Sequence, residues 1–187
     1  SATSGTGYTL SGYSQTNAGT YTVTATLATN YIWSDNITGT KTFSCSIGKY
    51  TPSISLSETS GSVPYNSTNT FKATPTTINS CLGTLASTSG TTDNITITSG
   101  ASISNAASGT AQTITYKGVG NTGTSSVITV KYTPTDTTNC NSASNKTYTA
   151  TIGNATLSGG SVKVTGNNTV GSTLTATVTD TSPTASY

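Results

Sequence analysis

The sequence predicts an all-β chain of repeated two-layer modules, and two observations carry that prediction. The first is a repeat. Lys41-Thr42-Phe43-Ser44-Cys45-Ser46-Ile47-Gly48 returns 105 residues later as Lys146-Thr147-Tyr148-Thr149-Ala150-Thr151-Ile152-Gly153. The second is strict alternation: Phe43, Cys45 and Ile47 share one parity, as do Tyr148, Ala150 and Ile152, while Thr or Ser fills the places between. That pattern belongs to a strand with one face in a core and the other in water. A last strand recurring at this interval marks successive modules of sandwich size. Divisions near Gly48 and Gly153 give residues 1–48 as the closing part of one module, 49–153 as a complete module, and 154–187 as the opening part of a third.

The elements follow in order. Tyr21-Thr22-Val23-Thr24-Ala25-Thr26-Leu27 is the cleanest strand, with Tyr, Val, Ala and Leu inward and three Thr outward. Asn17-Ala18-Gly19-Thr20 ahead of it and Ser34–Gly39 after Tyr31-Ile32-Trp33 are turns. The central segment predicts seven strands: Ser53–Leu56, Thr70–Thr74, Gly83–Ala86, Asn94–Thr98, Ala111–Lys117, Ser126–Thr133 and Lys146–Ile152. Parity nominates Ile54, Leu56, Phe71, Ala73, Ile95, Ile97, Ile114, Tyr116, Ile128, Val130, Tyr132, Tyr148 and Ile152 for its core. The third segment opens with the alternating Val162-Lys163-Val164 and Leu174–Val178. No stretch keeps a helical period of useful length.

Thr, Ser, Asn and Gly supply 110 of the 187 residues. Such bias can signal disorder, but a disordered tract has no reason to maintain alternation, and Thr suits the solvent face of a strand. All seven cations are Lys, the five acids are scattered singly, and His is absent. A net charge of +2 leaves no electrostatic footprint for nucleic acid. No apolar run is long enough to span a membrane. With no Met in the sequence, the expectation is a segment of a longer mature polypeptide.

Several stretches resemble the bacterial Ig-like repeats of secreted and cell-surface adhesin-type proteins. Thr16–Leu27 followed by Tyr31-Ile32-Trp33-Ser34-Asp35 is similar to the closing half of such a repeat. Val130–Asn139 is similar to a penultimate strand and its loop, and Gly160–Thr179 to the opening of a further repeat. The resemblance implies tandem immunoglobulin-like β-sandwich modules, one complete and two partial, serving as an extracellular stalk or adhesive array. The partners it implies are neighbouring modules of the same or an adjacent chain, with a host or cell-surface glycan or protein as a further class. Cys45 and Cys140 depart from the family, which more often has Trp or Val and Tyr there.

No catalytic residues are expected. Without His, a Ser or Thr nucleophile would need Lys or a carboxylate as base, and no carboxylate pair is visible. Neither a metal site nor a cofactor is expected, because three separated Cys do not make a zinc cluster and single acids do not make a calcium cage. Surface sandwiches of Gram-positive type can carry a Lys–Asn isopeptide bond promoted by a buried acid, for which Lys72 and Glu58 are the candidate lysine and acid, but Lys72 has outward parity and reads as solvated. Cys81 follows the second central strand and Cys140 the sixth, and in this connectivity both loops leave the same end of the sandwich. They are therefore candidates for a disulfide closing about 60 residues; the alternative is two unpaired thiols in a reducing setting. Cys45, of inward parity, is expected to be an inert core residue. Tyr31 and Trp33 are the possible aromatic contact residues, which a glycan-binding module would use for stacking; the bland alternative is that Tyr is inward-facing filler. Two further functions stay open, a glycan-binding module and a subunit of an extracellular filament or virion fibre completed by strand exchange.

Overall fold

The computed structural model describes residues 5–156 and 160–179, so residues 180–187 of the third segment lie outside the described residues. Strands β1 (Tyr8–Ser11), β2 (Gly19–Leu27) and β3 (Thr40–Ile47) form an antiparallel sheet in that order. The central segment supplies β4 (Ser53–Leu56), β5 (Ser60–Pro64), β6 (Thr68–Thr76), β7 (Gly83–Ser89), β8 (Ile95–Ser99), β9 (Ser102–Ile103), β10 (Gln112–Gly118), β11 (Ser125–Pro134) and β12 (Lys146–Gly153). They make two sheets, ordered β4-β6-β10-β8 and β5-β12-β11-β7-β9. The last hairpin pairs β13 (Ser161–Gly166) with β14 (Leu174–Thr179). The one helical element among the described residues is a 3-10 turn, Asn79–Cys81.

The two central sheets face each other across one core, which makes this part of the chain a β-sandwich. Ile54, Phe71, Ala73, Ile95, Ile114 and Tyr116 come from one sheet and meet Leu85, Ile128, Val130, Tyr132, Tyr148 and Ile152 from the other. Alternation decides which residues these are, since successive side chains leave opposite faces of a strand. Leu56 and Ile97 pack against the same core from partly buried positions. At its centre the Phe71 and Tyr148 rings stack at 4.1 Å with 6° between planes, and Tyr116 leans on both. The Tyr116 and Tyr148 hydroxyls share a 2.8 Å hydrogen bond inside the core, which satisfies groups that would be costly to bury alone.

Nine strands occupy the region where alternation predicts seven. The additions are β5 and β9, and neither carries a readable pattern. β9 has two residues. β5 contributes one large side chain, Val63, to the core, and it is held by parallel pairing to β12, Ser60 beside Thr149 through Pro64 beside Gly153. Gly61 lies under the Tyr148 hydroxyl, where a Cβ would collide with it. Close approach therefore puts glycine in a strand that propensity reads as a loop.

The phenols set a pH limit. Burial, first among the causes, raises the Tyr116 and Tyr148 pKa values above the ordinary tyrosine range. Because the fold favours the neutral phenols, their contribution is complete below the unfolded value of about 10 and is lost as pH rises above it. Alkaline titration is expected to release these two phenolates only together with the loss of the β circular dichroism signal. Phenolate absorbance reaching the full tyrosine count while that signal persists would contradict the buried pair.

The first sheet repeats the middle of the second central sheet in register. Val23 lies opposite Phe43 and Ile128 opposite Tyr148; Ala25 lies opposite Leu10 and Val130 opposite Ser87. β1-β2-β3 thus has the arrangement of β7-β11-β12. The tertiary surroundings differ. Tyr148 and Ala150 are fully buried, whereas Phe43 is 57% exposed and Cys45 is exposed. The expectation that Cys45 sits in a core is corrected accordingly. Its parity matches that of Ala150, but among the described residues no second sheet covers that face of β3. The β13–β14 hairpin is alike, with Val162, Val164, Leu174 and Val178 on one exposed face.

Candidate functional site: the joint between sheet and sandwich

The first sheet meets the sandwich at the end that carries both nominated cysteines. After β3, Gly48 leads into Lys49-Tyr50, which runs beside the loop that follows β11. The Tyr50 N–H donates to the Asn139 carbonyl at 2.9 Å, and the Asn141 N–H donates to the Tyr50 carbonyl at 2.8 Å. Lys49 Nζ donates to the Thr137 carbonyl at 2.7 Å. Immediately beneath, Cys81 in the 3-10 turn and Cys140 in the loop are bonded through their Sγ atoms, with Cα atoms 5.8 Å apart. Both are buried. The Cys81 carbonyl also accepts from Tyr132 Oη at 3.1 Å and Thr77 Oγ1 at 2.9 Å, so the turn is tied to the core.

Asn139 is the hub. Its amide Oδ1 accepts from the Ala18 N–H at 2.7 Å, across a sequence separation of 121 residues. Its Nδ2 donates to Asp136 Oδ2 at 2.7 Å and to Asn17 Oδ1 at 3.2 Å. Asp136 Oδ1 accepts the Thr138 and Asn139 backbone N–H groups, at 2.9 and 3.0 Å, an Asx-turn that shapes the loop. The Asn139 side chain, followed by its backbone N–H, holds the Asp136 carboxyl below its ordinary pKa. The carboxylate therefore favours an amide whose nitrogen points at Asp136 and whose oxygen points at Ala18. A cleft of about 150 Å³ lies between Ala18, Ile47 and Cys81, below the size of a small-molecule site.

The two nominated aromatics lie elsewhere. Tyr31 is half-exposed, its ring against Gly7. Trp33 is partly buried; its Nε1 donates to the Gly39 carbonyl at 3.0 Å, and its ring lies 6.1 Å from the Tyr8 ring with Lys41 Nζ 5.4 Å from its centre. Lys41 also pairs with Asp35, and this contact, first among the causes, lowers the Asp35 pKa. The Trp33 indole is thus engaged in holding its own turn. Lys72 is exposed. Among the described residues no three His, Cys, Asp or Glu gather as a metal site, and no helix is long and apolar enough to cross a membrane. Sequence reading missed Asn139; the only signal was the Asp136-Thr137-Thr138-Asn139 spacing, which also fits an ordinary turn.

Fold and joint together define a β-sandwich protein in which a sheet of like register is docked on one end of the sandwich. No family model matches the sequence, and no curated protein matches it. Among solved structures the chain is similar to domains 4 and 5 of the S-layer protein SbsC, with 21% identity over 73% of this chain and 58% of that one and a TM-score of 0.39. It is also similar to SbsC domains 1–6, with 16% identity over 87% of this chain and 25% of that one and a TM-score of 0.41.

Proposed function

We propose that the chain is a non-catalytic segment of an extracellular surface protein, in which tandem Ig-like modules act as a stalk or adhesive array. The observation that carries this reading is the shared register of β1-β2-β3 and β7-β11-β12. It is what two successive copies of one half-sandwich look like, and it supports divisions near Gly48 and Gly153. The sheet order β4-β6-β10-β8, facing a five-stranded sheet whose middle runs β12-β11-β7, supports an immunoglobulin-like arrangement with β5 and β9 added at the edges. A hydroxyl-rich, charge-poor surface and a Cys81–Cys140 bridge suit an oxidising exterior. An antibody raised against residues 49–153 is expected to label intact source cells and to detect a polypeptide far heavier than 18.7 kDa. Labelling that needs cell lysis would defeat the surface assignment.

The exposed apolar faces of β3 and of β13–β14 favour a second reading, a filament subunit in which neighbouring chains complete each other's open sheets. Light scattering and Cys45 alkylation on the 187-residue chain separate the two. The array reading expects a monomer with a reactive Cys45 thiol. A concentration-dependent polymer with Cys45 protected would select the filament.

A further inference from the structure

The geometry points to Asn139 as the clasp of an inter-module docking surface, whose partner is the turn ahead of the penultimate strand of the preceding module. This rests on the modular reading for the word "module", but not on where the protein resides. Two segments far apart in sequence meet at one side chain. From the sandwich, Asp136 orients the Asn139 amide and the Asn139–Asn141 backbone pairs with Tyr50. From the first sheet, the turn before β2 offers the Ala18 N–H and the Asn17 side chain. Every polar atom of the Asn139 side chain is used, and the Oδ1 faces a donor that a carboxamide can satisfy without charge.

Apart from the Asn139 side-chain bonds, the hydrogen bonds described across the joint run from the linker residues Lys49 and Tyr50. The linker segment Lys49-Tyr50 is covalently continuous with both bodies, so its bridge to the loop anchors a pivot and leaves rotation about that pivot open. A contact off the pivot stops rotation, and the Asn139–Ala18 bond is such a contact. Small polar interfaces of this kind permit relative motion by default, so loss of one well-placed bond should be visible as motion. The Cys81–Cys140 bridge ties the residue next to Asn139 to the 3-10 turn, which gives the clasp a firm base. The partner chemistry is specific: a turn must present a free N–H where Ala18 does and an amide where Asn17 does.

The test is a spin-label distance measurement on the whole 187-residue chain, with Cys45→Ser and labels at Thr42→Cys on β3 and Thr96→Cys on β8. Both label positions are exposed and lie on opposite sides of the joint. The parent is expected to give one narrow distance distribution. Asn139→Ala should broaden it, and Ala18→Pro, which removes the donor from the other side, should do the same. Asn141→Ala, whose side chain donates to Thr51 Oγ1 on the sandwich side, should leave it narrow. In each variant, unchanged unfolding of the central sandwich in urea shows that the effect belongs to the joint. A narrow distribution in both Asn139→Ala and Ala18→Pro overturns the clasp, whatever the surface-labelling experiment shows.

Discussion

Replacing Tyr148 by alanine is expected to destabilise the central sandwich by about 3–5 kcal/mol, the range for removing a large buried aromatic. Three losses combine. The Phe71 ring loses its stacked neighbour at 4.1 Å, the Tyr116 ring loses its tilted one, and the Tyr116 hydroxyl loses a 2.8 Å partner. The cavity lies between two hydrogen-bonded sheets that cannot easily close on it. Tyr148→Phe keeps the rings and removes one hydrogen bond, for a cost of about 1 kcal/mol. Phe43→Ala is the control at the position of matching register. With Phe43 57% exposed, its change should stay within about 0.5 kcal/mol. Urea unfolding of all three variants checks this. An equally large loss for Phe43→Ala would mean that the open face of β3 is covered in solution.

Removing the Cys81–Cys140 bridge should have the second large effect. The two residues are 59 apart in sequence, and constraining a loop of that length in the unfolded chain stabilises the fold by about 4 kcal/mol on the chain-entropy argument. Both sulfurs are buried beneath the loop that follows β11, so Cys81→Ala with Cys140→Ala also leaves small voids. The double variant is expected to unfold at a clearly lower urea concentration. Reductant should move the parent's midpoint toward that of the variant and leave the variant's own unmoved. A parent midpoint that equals the variant's in non-reducing buffer would show that no bridge forms.

Parity alone placed Ile54, Phe71, Ile114, Tyr116, Ile128, Tyr132 and Tyr148, because one strand with one wet face has only one way to turn its side chains. The same rule set Cys45 with them and was wrong about its surroundings. Alternation reports which side of a strand is apolar; whether another sheet lies against that side is a property of the assembled chain. β5 was illegible for a related reason. It is held by its parallel pairing to β12 and by the absence of a side chain at Gly61, neither of which leaves a period in the sequence.

The joint divides in the same way. An all-β chain, the spacing of its repeated strand, and two cysteines placed after strands whose loops leave one end of a sandwich are all legible in the residues. These are consequences of local alternation and connectivity, and both are written along the chain. Folding brings Asn139 to Ala18 across 121 positions, sets Trp33 against Tyr8 and Lys41, and among the described residues leaves the apolar face of β3 open. Each of these depends on which surfaces approach in space, and a residue's type constrains what it can bond far more tightly than where its partner will be found.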